Sequence, residues 1–275
     1  MNVSPNTVEV VELARYVNEA TGIELDASKG YLFESRLGKL LERTGSKSLS
    51  GLLTLARQDA TGNLKNAIID AVSTNETSFF REPLQFNLLS HEIFPHHFEH
   101  SNPKRIRIWC AAASTGQELY TVAIVLKELL GNLNQYQILI LGTDISTAVL
   151  ERASRGRYTP HEVSRGLSAD RLSRYFVQTL DGYQICDELR ALATFQRLNL
   201  LENSVSIGVF DVILCRNVSI YFSPANRTKL FANLAKHLRP GGSLIVSMTE
   251  TLGQNCSPYV RKEYRGIAYY EIPQK

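Results

Sequence analysis

Residues Arg105 to Tyr120, RIRIWCAAASTGQELY, constrain the fold more than any other stretch of this chain, because they read as a buried strand, a turn of small residues and a helix start. Ile106, Ile108 and Trp109 supply the apolar strand, and Ala111 to Gly116 carry so little side-chain bulk that a ligand can approach backbone N–H groups there. About one βαβ unit later, QILILGTDIS gives a second apolar strand ending at Asp144, where a carboxylate can accept hydrogen bonds from both hydroxyls of a ribose. The turn lacks the G-x-G-x-x-G spacing of dinucleotide sites and the G-K-[ST] of triphosphate sites. A nucleoside cofactor without phosphates, such as S-adenosylmethionine, fits those observations.

From Arg105 onward strands alternate with helices, which calls for a mostly parallel sheet wound on both faces. The predicted strands are RIRIWC, QILILGT, TFQRLNL, FDVILC and GSLIVSM, with helices starting near Gly116, Ser146 and Pro224, the last ending before Arg239-Pro240-Gly241-Gly242. The tail YVRKEYRGIAYYEI alternates and turns at Arg265-Gly266, so an antiparallel hairpin should close the sheet. Between Tyr158 and Ala193 the spacing breaks down, with a helical GLSADRLSRYF and short strands about Asp181-Gly182, which reads as a compact β-subdomain inserted at about 158–193.

Residues 1 to about 75 show helical spacing only, and form an N-terminal all-helical domain. Asp26 is the expected N-cap of a helix from Ala27 to Thr44 that stops at Gly45, and SLSGLLTLARQ and NLKNAIIDAVS predict two more helices. Residues 76–104 form a connector of loop and helix that contributes to the cofactor site, and 105–275 form the cofactor domain with its insertion. With 275 residues, 44% hydrophobic and 21% charged, the chain can bury full cores for this plan.

A formal charge of +3 and the lack of a basic run with interleaved aromatics argue against nucleic-acid binding. Cys110, Cys186, Cys215 and Cys256 lie far apart without C-x-x-C spacing, and the histidines show no ligand spacing, so no metal is expected. Glu9 and Glu12 occupy the place of a basic signal n-region, and nowhere do about 18 apolar residues run together. A cytoplasmic protein with reduced thiols and no membrane insertion is the expectation.

With STNETSFFREP at 73–83, STGQELY at 114–120, TDIS at 143–146, LNLL at 198–201 and FDVILCRNVSIYF at 210–222, the chain resembles the CheR-type chemoreceptor glutamate methyltransferases over nearly its whole length. The resemblance implies a Rossmann-like class I methyltransferase sheet with the C-terminal hairpin. It also implies methyl transfer from S-adenosylmethionine to glutamate side chains on the cytoplasmic region of chemoreceptors, giving methyl esters for sensory adaptation. Cofactor contacts carry over onto Asn75, Thr77, Arg81, Glu118, Asp144, Asn199, Leu200, Arg216 and Asn217, with Leu200 an apolar wall for adenine. The chain departs from the family at Gln117-Glu118-Leu119, where two acidic residues and a proline are commoner, and at Ser219, where an apolar residue is common.

A glutamate acceptor, with a pKa of about 4.3, is already ionised near neutral pH, so the reaction needs alignment and exclusion of water rather than a general base. Arg81 could orient the acceptor carboxylate or contact the cofactor, with a structural ion pair as its plain alternative. Tyr221, four residues beyond Asn217, could face the sulfonium or simply pack the strand end. Asp144 could instead cap the next helix. Lys29, Arg36, Lys39 and Arg43 fall on one helical face, a solvated stripe in the bland reading. The family uses this helix to bind the acidic helical bundle of receptors, and in some members the β-subdomain takes a receptor C-terminal peptide as an added strand. Two other functions remain open at this point. One is a methyltransferase acting on another protein or small carboxylate; the other is a signalling module that binds cofactor without turnover. N-V-S-I-Y in place of N/D-P-P-Y/F argues against an exocyclic amine acceptor.

Overall fold

The run RIRIWCA becomes an interior strand β1 (Arg105–Ala111) of a seven-stranded sheet, exposed at Arg105 but buried from Ile108 to Ala111, where a strand covered on both faces must be apolar. The computed structural model describes residues 7–26, 28, 30–100, 104–202, 207–253 and 257–274. Four helices come first: α1 (Thr7–Thr21), α2 (Gly30–Thr44), α3 (Leu49–Gln58) and α4 (Asn63–Val72). Val10, Leu13 and Val17 recur at helical spacing on α1 and meet Phe33 and Leu37 of α2 and Leu52 of α3 in a core of their own. Ser48 caps α3 by accepting from the Gly51 N–H at 3.1 Å. Helix α2 is described from Gly30 to Thr44, and the expected start at Ala27 lies outside the described residues, as does Lys29. The Asp26 carboxylate accepts from the Ser28 N–H (3.0 Å) and hydroxyl (2.6 Å) just before the helix.

The connector runs through α5 (Pro83–Leu88) and one π-helical turn (Leu89–Ile93) into α6 (Phe94–His100). Beyond β1 come α7 (Gln117–Leu130), β2 (Gln137–Asp144) and α8 (Thr147–Arg155), with Ser146 capping α8. The segment expected as an insertion forms β3 (Arg157–Tyr158), α9 (Pro160–Ser164), α10 (Ala169–Tyr175), β4 (Phe176–Thr179), β5 (Gly182–Ile185) and α11 (Asp187–Arg190). Its three strands make a separate antiparallel sheet in the order β3-β5-β4, with the two-residue turn at Leu180-Asp181. The chain returns as β6 (Ala193–Arg197), β7 (Phe210–Leu214), α12 (Pro224–His237), β8 (Leu238–Ile245), β9 (Val260–Tyr264) and β10 (Ile267–Glu271).

The main sheet has the order β6-β2-β1-β7-β8-β10-β9, parallel through β8 and antiparallel at β10 and β9. Arg265 and Gly266, both at positive φ, form the two-residue hairpin turn as expected. Strand β8 begins earlier than GSLIVSM: Phe210 pairs with Leu238 but Val212 with Ser243, so Arg239-Pro240-Gly241-Gly242 is a bulge within the strand instead of a turn before it. Chain order reverses between β1 and β7, which opens a crevice at their carboxyl ends. The insertion is locked beside that crevice. Phe79, fully buried, packs edge-on against Tyr158 and Phe176, and Gly166 at φ +98° lies so close to the Phe79 carbonyl that an added Cβ would sit 1.9 Å from it. Among the described residues no helix is long and apolar enough to cross a membrane.

Candidate active site

The crevice is a cleft of about 1120 Å³ including its open mouth, a size that suits a nucleoside-sized ligand. Its floor is the Ala112-Ala113-Ser114 turn after β1, where side chains are too small to keep a ligand off the backbone. Asp144, ending β2, is 7% exposed and accepts from the Ser114 N–H (2.9 Å) and the Ser146 N–H (3.0 Å). It does not cap α8 itself, a task taken by Ser146. Burial raises the Asp144 carboxyl above its ordinary value of 3.8 against the opposing backbone donors of Ser146, Ser114 and Ile145.

Asn75 and Thr77 come from the extended connector, and Ser114 Oγ donates to the Asn75 carbonyl at 2.9 Å, tying that wall to the floor. Arg81 lines the same wall, with Nη1 donating to the Glu76 carbonyl at 3.1 Å. Leu200 presents an apolar wall and belongs to the core beneath the sheet. Asn199 lines the cleft too, though its Nδ2 reaches the Ala20 carbonyl (3.4 Å) and Glu202 (3.3 Å). Asn217, at φ +57°, and Tyr221, in the 3₁₀ turn Ser219–Tyr221, close the β7 side.

Arg216 also lines the cleft, but its guanidinium is engaged elsewhere. With 1% side-chain exposure, it donates from Nη1 to Glu118 (2.7 Å), from Nη2 to Glu82 (3.2 Å) and the Arg81 carbonyl, and from Nε to Gln85. The two carboxylates respond oppositely. Burial dominates at Glu118 and raises it despite Arg216, whereas at Glu82 burial is outweighed by the Ser247 hydrogen bond and the Arg216 charge, leaving it below the usual range.

The departures at Gln117 and Ser219 have local explanations. Gln117 opens α7 and accepts from the Thr115 hydroxyl at 2.7 Å, while the Ser219 hydroxyl donates to buried Glu250 at 2.7 Å. Sequence reasoning gave no role to Glu82, although it lies within STNETSFFREP, nor to Gln85, Ser247 and Glu250, polar residues with no motif spacing of their own. It also missed the wall given by Thr21, Ile23 and Leu25, at and just past the end of α1. That wall is held by an isolated bridge between Ile23 and Phe222, the Glu24 N–H on the Tyr221 carbonyl (2.8 Å) and Asn226 Nδ2 on the Gly22 carbonyl (3.1 Å). Of the basic residues on α2, Arg36, Lys39 and Arg43 are exposed, and Lys29 lies outside the described residues. Arg36 Nη1 donates to the carbonyl of Val72, itself a cleft residue, at 2.9 Å.

A small-residue turn, a buried carboxylate at the next strand end and a sheet that finishes in an antiparallel hairpin define the class of nucleoside-cofactor methyltransferases. Comparison with known proteins is specific. The family model described as the CheR methyltransferase SAM binding domain matches residues 75–264, and that of the CheR methyltransferase all-alpha domain matches 9–73. The chain is 38% identical over 260 residues to chemotaxis protein methyltransferase 1 of Pseudomonas aeruginosa, covering 90% of this chain and 94% of that one. It is 34% identical over 253 residues to a chemotaxis protein methyltransferase of Pseudomonas putida (90% and 92% covered) and 36% over 252 residues to that of Vibrio parahaemolyticus (89% of each). The chain belongs to the CheR methyltransferase family, the S-adenosylmethionine-dependent protein-glutamate O-methyltransferases of chemotaxis, whose substrates are chemoreceptors.

Arg216→Met should lower the free energy of unfolding by about 3–5 kcal/mol in denaturant melts, because Glu118 and Glu82 then share a buried site without a cation. A loss below about 1 kcal/mol would show that the guanidinium does not hold the connector to the sheet.

Proposed function

We propose that the cleft seats S-adenosylmethionine with its sugar hydroxyls on Asp144, its adenine against Leu200 and Asn199, and its amino-acid end toward Asn75, Thr77, Arg81, Glu118 and Asn217. The observation that carries this reading is the buried Asp144 carboxylate at the end of β2, held beside a floor of alanines and serine. When bound, the cofactor supplies an electrophilic methyl group on a sulfonium. The protein's part is then alignment. Glu118 keeps one oxygen for a ligand ammonium while the other is held by Arg216. Arg216 serves the site by holding Glu118 and the connector, not by reaching into the cleft. Arg81 orients the acceptor glutamate by a charge-assisted hydrogen bond, and Tyr221 shields the acceptor end from water. No described side chain is assigned to remove a proton, since the acceptor carboxylate carries none near neutral pH.

The acceptor face extends onto α2, where exposed Arg36, Lys39 and Arg43, with Lys29 before them, complement the acidic methylation helices of a receptor bundle. The four-helix segment at 1–75 is thus the receptor-recognition domain, 76–104 the connector and 105–275 the cofactor domain. Strand β4 is an edge of the small sheet and leaves Val177 61% exposed, a place where a receptor C-terminal peptide can add a strand. The protein works in the cytoplasm, where those receptor regions lie.

Incubation with labelled S-adenosylmethionine and cytoplasmic receptor fragments should give alkali-labile label. Asp144→Ala should weaken S-adenosylhomocysteine binding by about 1–3 kcal/mol and abolish most of that label, and an unchanged affinity would refute the sugar-binding role. The pH dependence has a definite sign. Sugar hydroxyls need the ionised carboxylate as acceptor, and the Asp144 pKa is raised by burial, so affinity should fall on acidification at a higher pH than 3.8. Calorimetric titrations with Asp144→Asn should lose that acid limb. Reversing charge in Lys39→Glu with Arg43→Glu should lower receptor methylation about tenfold or more at low salt, with the parent's advantage shrinking at high salt, while cofactor affinity stays constant. Equal methylation by both proteins would remove α2 from the docking surface.

A further inference from the structure

Glu250, five residues beyond β8, is 6% exposed and does not line the cleft, yet both of its carboxylate oxygens accept from the Asn217–Ser219 segment beside the cleft. Oε1 accepts from the Val218 N–H (3.1 Å), the Ser219 N–H (2.8 Å) and the Ser219 hydroxyl (2.7 Å). Oε2 accepts from the Asn217 N–H (2.8 Å) and the Ser247 N–H (3.0 Å). Three successive backbone N–H groups directed at one carboxylate form a nest, an arrangement that ordinarily receives an anionic ligand. Here the chain's own carboxylate fills it.

The nest has a conformational requirement. Asn217 stands at φ +57°, a left-handed conformation that an L-residue adopts at some energetic cost and that asparagine tolerates better than most. The Glu250 bonds on either side of that peptide hold it there. Two consequences reach the cleft. The Asn217 side chain is aimed so that Nδ2 donates to Ser247 Oγ (2.9 Å), which in turn donates to Glu82 Oε1 (2.7 Å). And the 3₁₀ turn that begins at Ser219 carries Tyr221 to the cleft wall two residues later.

We infer that Glu250 is a positioning residue for methyl transfer, its carboxylate fixing the Asn217–Ser219 backbone so that Asn217 and Tyr221 meet the reacting groups in register. The inference rests on the assignment of Asn217 and Tyr221 to the active site. It also explains why this chain carries serine at 219, where the hydroxyl adds a fifth donor to the same carboxylate.

The test uses the full-length protein. Glu250→Gln keeps the size of the side chain but replaces one acceptor oxygen by an NH₂ that faces N–H donors. Glu250→Asp keeps the charge one methylene short. Single-turnover methyl transfer to receptor fragments, cofactor binding and thermal melts are measured for both, alone and combined with Tyr221→Phe. The expected result is a tenfold or greater fall in the transfer rate for Glu250→Gln with less than a threefold change in S-adenosylhomocysteine affinity. Glu250→Asp should lie between it and the parent, and the double variant Glu250→Gln with Tyr221→Phe should be no slower than the slower single one. If Glu250→Gln does not fold, the same coupling is read from Glu250→Asp.

A folded variant with the parent's rate overturns the inference, as does a rate loss that multiplies with that of Tyr221→Phe, or one that disappears well below a lowered melting temperature. Asn217→Ala and Tyr221→Phe alone separate this from the underlying site reading. If neither slows transfer, that reading fails and this inference with it; if they do and the Glu250 variants do not, only this inference is lost.

Discussion

One buried guanidinium joins parts of the chain that are far apart in sequence. Arg216 leaves the end of β7, bonds Glu118 at the start of α7 and reaches Arg81, Glu82 and Gln85 at the start of α5. Burying a charge is expensive unless its hydrogen bonds are made, and truncating one partner of such a network leaves the others uncompensated. Here four donated bonds and the Phe86 ring, 5.1 Å away, surround the group. Its consequence is geometric more than energetic. The stretch that carries Asn75, Thr77 and Arg81 is tied to the sheet just beyond Arg81, at its carbonyl, Glu82 and Gln85.

The same region holds most of the strained backbone. Among the described residues, six non-glycine residues have positive φ; Phe80 and Glu82 flank Arg81, Ala112 and Ser114 belong to the cleft floor, and Asn217 closes its far side. The sixth, Arg265, sits in a hairpin turn that requires it. Conformations of this kind persist where neighbouring bonds over-determine them, and Ser114 shows how: its N–H is held by Asp144 and its hydroxyl by the Asn75 carbonyl. A ligand entering such a cleft meets groups that are already placed, which is what a reaction limited by alignment requires.

Much of this was legible in the residues, for physical reasons that differ by element. Strands β1, β2 and β7 are buried toward their carboxyl ends, at Ile108–Ala111, Ile140–Asp144 and Phe210–Leu214, and read as largely apolar there, and the carboxyl ends of such strands are where a ligand must sit in an open α/β sheet. Asp144 was therefore readable as a cleft residue, whereas Leu200 and Asn217 came from the family resemblance. The bulge in β8 was not readable, because Pro and two glycines give the same signal whether they end a turn or interrupt a ladder. The roles of Glu82 and Glu250 were not legible for a deeper reason: apart from the Ser247 N–H three residues before Glu250, the partners of these carboxylates lie 31 to 166 residues away, and such bonds leave no local spacing. The wall from Thr21 to Leu25 escaped likewise, as it depends on how the helical segment docks on Phe222.

That docking gives the small helical domain two faces with separate tasks. One closes the cleft through Ile23 and the Glu24 N–H, and the other presents the charges of α2 to solvent. In the proposed reading, cofactor and acceptor sides thus meet where the helical segment docks on Phe222. A crystal structure of the full chain with S-adenosylhomocysteine tests this account most directly. It predicts the sugar hydroxyls on Asp144, adenine beside Leu200, and Arg216 still bonded to Glu118, Glu82 and Gln85. Density for the ligand outside the crevice, or an Arg216 that leaves its carboxylates to bind it, would contradict the account.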